Sequence, residues 1–326
     1  MSKIHERLNI KLPIWNAGMG MGMAGAALSS VVSNAGGLGV LGLGGMPPQA
    51  MRPVIAEMRE LTTRAFGVNI IMPMMQDGQI ETCFDENIPL MVLFWGDPAP
   101  YINDAHKRGV LVVSQCGDVE EAVRAAEAGV DGVIVQGTEA GGHVKATRPL
   151  HIVLRETVKE LGSVPVIAAG GIATGADIAQ ALKLGASAVS MGTRFVATDE
   201  ALALESYKSL ITESQSSQTV LTELFDMGWP NAAHRVIRNK AYDEWEAAGS
   251  PPTGTRPDEN LIIGELGDGA NAVEIPRFSV VPPIDNYHGD LSEAALYCGE
   301  SCDRIDTIIS TEKVMDQLVA ELNAAV

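Results

Sequence analysis

Residues 109–143 read GVLVVSQCGDVEEAVRAAEAGVDGVIVQGTEAGGH. An apolar run at residues 110–114 is followed by an amphipathic segment, a glycine and a second apolar run at residues 132–136. Apolar runs without alternation are typical of parallel strands that are covered on both faces. Glycine after the intervening helix can adopt the left-handed conformation that stops it. The stretch therefore predicts a strand–helix–strand unit of a parallel sheet.

The same pattern recurs from the N-terminus to about residue 195. Glycine again precedes an apolar run in AGGLGVLG and KLGASAVSM, so the chain is built from similar units. Eight units with right-handed crossovers close into a barrel or lie in an open doubly wound sheet, and the strand count favours the (β/α)8 TIM barrel. The predicted strands are Pro13–Asn16, Leu38–Leu41, Phe66–Ile70, Leu90–Phe94, Val110–Ser114, Gly132–Gln136, Pro165–Ala169 and Ala188–Met191.

The chain changes character after residue 205. Residues 206–302 combine helical pieces with Pro- and Gly-rich connections such as GSPPTGTRPDEN (249–260), and the strand–helix repeat ends. We expect a barrel domain at 1–205 and a smaller, mostly helical cap at 206–302 over one barrel face. Residues 303–326 carry apolar residues at helical spacing, which predicts a closing helix that packs back on the barrel.

The composition excludes several classes of protein. Apolar residues make up 46% of the 326 residues and charged residues 20%, which suits a large buried core. The formal net charge of −18 disfavours nucleic-acid binding, which relies on clustered Lys and Arg. No long apolar run predicts a membrane span, and the charged N-terminal segment predicts a cytoplasmic location. Four cysteines suit a reducing compartment, and no metal site is predicted.

A glycine-rich segment, AGMGMGMAG (17–25), lies between the first predicted strand and the next helix. It satisfies the dinucleotide fingerprint G-x-G-x-x-G at Gly20, Gly22 and Gly25. That fingerprint also needs an acid at the end of the second strand, where the chain reads LGVLGLGGM. We therefore interpret the glycines as a close approach of the main chain to a flat ring. A glycine turn with core methionines is the alternative.

Two small-residue loops follow the seventh and eighth predicted strands, AAGGIATG (168–175) and SMGTRF (190–195). In a barrel, these loops and a helix N-terminus form the standard phosphate site. Their glycines expose main-chain N–H groups to phosphate oxygens, and a threonine adds a hydroxyl. The pair of loops predicts a cofactor that carries a phosphate. The residues expected at the phosphate are Gly170, Gly171, Gly192 and Thr193.

His143 ends the loop GTEAGGH, which follows the sixth predicted strand. Of the six histidines, it is the one directly behind a strand on a small-residue loop, at the barrel face where catalytic groups gather. A lone histidine is more often structural than catalytic, so its position beside the predicted cofactor is what supports the assignment. His143 is the candidate catalytic residue.

The motifs GTEAGGH, AAGGIATG and MGTRFVAT resemble those of the nitronate monooxygenase family, historically called 2-nitropropane dioxygenases. Relatives of that family include FMN-dependent enoyl-ACP reductases and NAD(P)H:quinone reductases. The similarity runs from the first strand to residue 198. The resemblance implies a TIM barrel with a helical second domain, non-covalent FMN as the cofactor, and His143 as the active-site histidine.

The resemblance also implies which residues contact the FMN. At the end of the fifth strand some relatives place a lysine toward the flavin, whereas this chain has Gln115, which leaves the redox tuning open. After His143 relatives often continue with glycine, whereas this chain reads VKATR (144–148), which leaves the choice of substrate open. The expected cofactor residues are Ala17, Gly18, Met19, Asn69 and Gln115 at the ring, Gln136 and Gly142 near the ring or ribityl chain, and Ala169, Gly170, Gly171, Gly192 and Thr193 at the phosphate.

The resemblance implies oxidation of alkyl nitronates with O2 to carbonyl compounds and nitrite. His143 would take a proton beside a nitro group or, when protonated, hold the anion, and Lys145 and Arg148 would attract it. The alternative is an NAD(P)H-dependent flavin reductase that acts on a quinone or an enoyl thioester. A non-catalytic barrel that binds FMN or a phosphosugar is a third interpretation. The expected partners are a small-molecule substrate and either O2 or NAD(P)H, and the sequence leaves a homodimer open.

Overall fold

The structure of the protein is a computed structural model and describes residues 2–269 and 272–325. Its strands are β1 (Ile14–Asn16), β2 (Gly39–Gly42), β3 (Phe66–Ile71), β4 (Leu90–Phe94), β5 (Leu111–Cys116), β6 (Gly132–Gln136), β7 (Gly142–His143), β8 (Val166–Ala169), β9 (Ala188–Met191), β10 (Thr219–Thr222), β11 (His234–Ile237), β12 (Ile262–Leu266), β13 (Val273–Pro276) and β14 (Tyr287–Gly289). Its α-helices are α1 (Lys3–Leu8), α2 (Ala26–Asn34), α3 (Pro48–Leu61), α4 (Gln79–Asp85), α5 (Ala99–Lys107), α6 (Val119–Ala128), α7 (Leu150–Leu161), α8 (Gly175–Lys183), α9 (Thr193–Val196), α10 (Glu205–Glu213), α11 (Lys240–Ala247) and α12 (Thr311–Ala325).

Eight of these strands form one parallel sheet in the order β1-β9-β8-β6-β5-β4-β3-β2. A bridge between Trp15 and Leu38 joins the two ends of this order and closes the sheet into a barrel. The eight predicted strands are confirmed, with boundaries that differ from the prediction by at most two residues. The TIM barrel is therefore confirmed, and the open doubly wound sheet is excluded.

The joint between β1 and β2 depends on one side chain as well as on that bridge. The fully buried Asn16 donates from Nδ2 to the carbonyl oxygen of Val40 at 2.8 Å. The main-chain N–H of Val40 donates back to Oδ1 of Asn16 at 3.0 Å. The Asn16 amide thus supplies the donor and the acceptor that a neighbouring strand would otherwise provide.

The interior of the barrel is filled by apolar side chains that alternate with those facing the helices, because successive side chains of a strand point to opposite faces. Val92 packs inside, for example, whereas its neighbour Met91 packs outward against the helices. Each fully buried side chain of this kind contributes about 1.5–3 kcal/mol to folding. The interior cluster includes Trp15, Leu38, Val40, Val92, Val113, Ile134, Ile167 and Ala188.

Glycine ends several of the helices between barrel strands, as the repeated pattern predicts. Gly129 caps α6 with φ of 102°, and its N–H donates to the carbonyls of the last helical turn. Gly109 and Gly185, which follow α5 and α8, have φ of 79° and 101°. L-residues with a side chain rarely adopt this conformation, so the glycines fix where the helices end.

Residues 206–302 differ from the expected mostly helical cap. They hold α11 and most of α10, but also five strands among their described residues. Strands β10 and β11 form an antiparallel sheet with β7, and β12, β13 and β14 form a second antiparallel sheet. The runs TVLT (219–222) and HRVI (234–237) are too short for their periodicity to separate a strand from a helix. Strand β7 comes from the barrel loop that carries His143, so a sheet joins that loop to the cap segment.

The C-terminal segment returns to the barrel. A 3-10 helix at Glu300–Arg304 precedes α12, which begins at Thr311, later than the expected start at residue 303. Helix α12 packs on α8 and α2, as predicted for a closing helix. Over the described residues, every helix is too short or too polar to cross a lipid bilayer.

Candidate active site

A cavity of about 230 Å³ lies at the carboxyl ends of the barrel strands. A smaller compartment of about 60 Å³ adjoins it at the loops after β8 and β9. The two are contiguous because they share the lining residues Ala17, Gln115, Gln136, Gly141, Gly192 and Thr193.

Every site residue predicted from the sequence lines one of these two compartments. Five of them line only the larger cavity: Gly18, Met19, Asn69, Gly142 and His143. Five line both compartments: Ala17, Gln115, Gln136, Gly192 and Thr193. The remaining three, Ala169, Gly170 and Gly171, line the smaller compartment. The sequence motifs, which lie far apart along the chain, thus meet at one face of the barrel.

The main chain forms much of the barrel side of the larger cavity. A Cβ atom at Gly18 would lie 2.2 Å from Cβ of Asn69, and one at Gly42 would lie 1.7 Å from the carbonyl oxygen of Met19. These contacts leave no room for a side chain, so both positions require glycine. The loop after β1 therefore lies directly on β2 and β3, and its main chain faces the cavity.

The smaller compartment presents main-chain donors. Among the described residues, the N–H groups of Gly170, Gly171, Gly192 and Thr193 have no hydrogen-bond acceptor. Gly170 and Gly171 have φ of 112° and 67°, which turns the chain sharply after β8. Unpaired donors at a small cavity suit an anion that can accept several hydrogen bonds.

The N-terminus of α8 is already occupied by protein groups. Thr174 and Asp177 form a capping box, and Asp177 also accepts from the N–H of Ala173 at 2.9 Å. Glu321 of α12 accepts from the N–H of Gly175, the first residue of α8, at 2.7 Å. Two carboxylates therefore satisfy this helix end, and the free donors of the compartment come from the loops themselves.

His143 is held by the backbone on both sides. As part of β7 it pairs with His234 of β11, and the N–H of Val144 donates to the carbonyl oxygen of Ala233 at 2.7 Å. The side-chain amide of Gln136 donates to the carbonyl oxygen of His143 at 3.0 Å and accepts from the N–H of Lys145 at 3.2 Å. These bonds fix the position of His143 above the end of β6.

The imidazole of His143 lies among aromatic rings. It stacks on Trp229 with ring centroids 4.0 Å apart and an interplanar angle of 20°, and Trp95 and Tyr297 meet it at 6.4 and 5.4 Å. Burial, with a smaller contribution from His234, lowers the pKa of His143 to about 3. The residue as a whole is half-buried, but its Nε2 is buried, which supports the effect of burial on its pKa. His143 is therefore neutral at physiological pH.

The neutral imidazole changes the expected role of His143. The lowered pKa disfavours a cationic ring that holds an anion at neutral pH, and it makes the ring a weak base for a carbon-bound proton. Its Nε2 is buried and has no hydrogen-bond partner among the described residues. The ring as a whole lines the cavity, where a neutral imidazole can accept or donate a hydrogen bond, depending on its tautomer.

Lys145 and Arg148, expected to attract an anionic substrate, are engaged elsewhere, and neither lines the cavity. The Lys145 ammonium contacts the carboxylate of Glu121 and lies 5.9 Å from the ring centre of Trp95. Arg148 forms a bidentate pair with exposed Glu156, with both N–O distances at 2.7 Å. These cations are neutralised by neighbouring carboxylates, so they offer little attraction to a ligand in the cavity.

The cap segment supplies the opposite wall of the larger cavity. None of the residues of this wall was predicted individually from the sequence. Tyr297 donates from its hydroxyl to the carbonyl oxygen of Val280 at 2.8 Å, which joins two parts of this wall. The wall consists of Tyr207, Trp229, Val280, Val281, Pro282 and Tyr297.

No Asp, Glu, Lys or Arg lines either compartment in the described part of the chain, and the one lining histidine is neutral. Nor do the described residues hold a group of three or more His, Cys, Asp or Glu side chains that could bind a metal ion. The site therefore recognises ligands through main-chain dipoles, amides, aromatic rings and shape.

A TIM barrel with such a cavity at the carboxyl ends of its strands, and a buried histidine facing it, has the architecture of a barrel enzyme. A family model described as nitronate monooxygenase matches residues 1–94 and 76–321. The chain belongs to the nitronate monooxygenase family and is an oxidoreductase.

Two curated relatives of this chain have different names. The chain is 30% identical over 288 residues to a probable nitronate monooxygenase of Staphylococcus aureus, an alignment that covers 74% of this chain and 80% of the relative. It is 34% identical over 246 residues to a (3aS,4S,5R,7aS)-5-hydroxy-7a-methyl-1-oxo-octahydro-1H-indene-4-carboxyl-CoA dehydrogenase of Mycobacterium tuberculosis, covering 74% of this chain and 67% of the relative.

Two solved structures have the same fold. FabK from Thermotoga maritima superposes with a TM-score of 0.80 at 28% identity and covers 99% of this chain and 96% of that one. The nitroalkane oxidase from Streptomyces ansochromogenes superposes with a TM-score of 0.79 at 26% identity and covers 99% of both chains.

Proposed function

We propose that the protein is an FMN-dependent oxidoreductase. One observation carries this proposal: unpaired main-chain N–H groups after β8 and β9 face a small compartment that is contiguous with the cavity of His143. A mononucleotide flavin has this division, a flat ring joined by a chain to a phosphate. The open space at Gly142 and Gly192, where an added Cβ would meet almost nothing, also fits a bound group.

In this proposal the amides of Gly170, Gly171, Gly192 and Thr193 bind the phosphate. The ring lies against the main chain of 17–19, with the side-chain amides of Asn69 and Gln115 beside it. Ala169, Gln136 and Gly142 lie between these two regions. Bound FMN would take up electrons from a donor and pass them to an acceptor, while the chain orients both and excludes water.

We further propose that the donor is an alkyl nitronate, with O2 as acceptor and a carbonyl compound and nitrite as products. The names of the Staphylococcus and Streptomyces relatives support this substrate class. A nitronate has already lost its carbon-bound proton, so it does not require a strong base. Neutral His143, which lines the cavity, would then orient a nitro oxygen by one hydrogen bond from its ring.

The proposal is tested by mixing the purified protein anaerobically with FMN and a series of alkyl nitronates. We expect bleaching of the flavin absorbance, followed on admission of air by equal amounts of nitrite and carbonyl compound. Bound flavin that no nitronate bleaches would contradict the substrate class. A protein that takes up no FMN would contradict the proposal as a whole.

A second function, an NAD(P)H-dependent reductase of a quinone or an enoyl thioester, is favoured by the uncharged lining. The described part of the cavity lining holds no cation. The cavity therefore suits a neutral conjugated substrate as well as it suits an anion. The Mycobacterium relative is named for a CoA thioester substrate. Rapid anaerobic bleaching by NADH or NADPH, with none by nitronates, would select this function over the first.

A further inference from the structure

The C-terminal segment reaches the smaller compartment through its 3-10 helix at Glu300–Arg304. The N–H of Gly299 donates to Oγ1 of Thr193 at 3.0 Å, and the N–H of Glu300 donates to the carbonyl oxygen of Glu139 at 3.0 Å. The turn is therefore hydrogen-bonded to the loop after β9 and to the loop after β6. Residues more than a hundred positions apart along the chain form one wall.

Ser301 is the residue of this turn that lines the compartment. As a residue Ser301 is 3% exposed, and no hydrogen bond joins its hydroxyl to another described group. The neighbouring Cys302 packs instead into an apolar cluster with Tyr207 and Leu296. Because Ser301 lines the compartment, a ligand there can supply the hydrogen-bond partner that its hydroxyl lacks within the protein, which indicates a binding role.

The chemistry of the compartment makes such a donor valuable. Its described lining contains no cation, and the nearby end of α8 is closed by Asp177 and Glu321. A dianionic group would then be held by a few neutral donors, and each donor would carry a large share of the affinity. Ser190 is the other serine of the lining, but it lies within strand β9 and not on a loop.

We propose that the hydroxyl of Ser301 binds the phosphate of the flavin mononucleotide, so that the C-terminal segment completes the phosphate site begun by the loops after β8 and β9. This inference rests on the proposed FMN dependence. It adds to the two loop motifs a residue that neither motif contains.

The test compares FMN with riboflavin, which has the same ring system and ribityl chain but no phosphate. Each flavin is titrated into the full-length apoprotein, and its quenched fluorescence gives a Kd. Ser301→Ala should raise the Kd for FMN about tenfold to a hundredfold, the loss expected for a hydrogen bond to a charged group, and should leave the Kd for riboflavin within about twofold.

Cys302→Ala is the matched control, because it removes one heavy atom from the same turn on the side that faces the apolar cluster. It should leave the ratio of the two Kd values unchanged. The pair Ser301→Thr and Ser301→Val repeats the comparison at nearly constant shape, and the Thr variant alone should keep the preference for FMN. This pair decides the question even if the alanine variant fails to fold.

If Ser301→Ala weakened the binding of both flavins equally, or weakened the binding of neither, the role of Ser301 would be overturned. FMN dependence would remain intact. A wild-type protein that binds neither flavin would overturn the proposed function first, and this inference with it. The wild-type titration separates these two failures before any variant is made.

Discussion

The two walls of the larger cavity are built in different ways. The barrel wall consists of glycines, small side chains and amides at strand ends, such as the segment 17–19. The cap wall consists of large apolar and aromatic side chains, Trp229 and Tyr297 among them. A main-chain wall suits a constant ligand with fixed hydrogen-bonding groups, whereas a side-chain wall changes readily with sequence. We infer that the barrel wall holds the cofactor and the cap wall selects the substrate.

The largest expected effect comes from a charge placed in the barrel wall. Gly192 has φ of −100°, and a Cβ there would meet only Cβ of Ala17 at 3.8 Å, so a side chain is compatible with the fold but enters the space proposed for FMN. Gly192→Glu should weaken FMN binding about a thousandfold more than Gly192→Gln does, because a carboxylate some 4 Å from a phosphate costs about 4 kcal/mol at an effective dielectric constant of about 20. Gly192→Gln is the isosteric control. Similar FMN affinities for both variants, measured by flavin fluorescence, would remove the electrostatic explanation.

The next effect concerns His143, which lies where the two walls meet. His143→Ala should lower turnover about a hundredfold, the usual loss when an oriented hydrogen-bonding group is removed, with FMN affinity changed only a few-fold. His143→Gln retains a neutral hydrogen-bonding group and should keep part of the activity. Steady-state rates with the donor that bleaches the flavin provide the measurement. Full activity in the alanine variant would exclude His143 from the reaction.

A smaller effect is expected from the cap wall. Trp229→Leu removes the ring that stacks on His143 and should raise KM about tenfold, since an aromatic contact and its buried area are lost together. The Kd for FMN should not change. Trp245→Leu, in the same segment but outside the cavity lining, is the control. If Trp229→Leu instead released FMN and left KM unchanged, the division between the two walls would be wrong.

The smallest effect is on stability as a function of pH. Burial lowers the pKa of His143 to about 3, from about 6.5 in the unfolded chain, so the unfolded state binds the proton first as pH falls. The contribution to stability is complete above pH 6.5 and is lost progressively toward pH 3. Between pH 7.5 and 5.5, the wild type should therefore lose about 1 kcal/mol more unfolding free energy than His143→Gln, by urea denaturation. Parallel pH profiles for the two proteins would show that His143 does not titrate this way.

The difference between the walls also explains what the sequence could predict. The eight strands follow from apolar runs and glycines that act within one strand–helix unit, and the structure confirms them. The barrel-side residues stand beside those strands in short motifs, so topology alone brings them to one face. The site assignments themselves stay predictions until a cofactor is measured.

The cap wall and Ser301 could not be found in this way, because their positions depend on contacts between distant segments. Trp229 lies shortly before β11, and β11 pairs with β7, the strand that holds His143. Strand β7 has only two residues and no sequence signal of its own. Burial of His143, and with it the loss of its charge, depends on the same contacts. The short strands of 206–302 escaped detection for a related reason, since four residues do not define a period.

The Asn16 amide has a consequence for how the barrel opens. Where other neighbouring barrel strands share a ladder of main-chain bonds, β1 and β2 share the Trp15–Leu38 bridge and the two bonds of one side chain. Partial unfolding from the native state should begin at this joint, because few bonds must break there. In hydrogen–deuterium exchange, we expect the amide of Val40 to lose its protection before those of the β4–β5 pair. The segment 17–19, which directly follows Asn16, would then be the first part of the ring-binding wall to loosen.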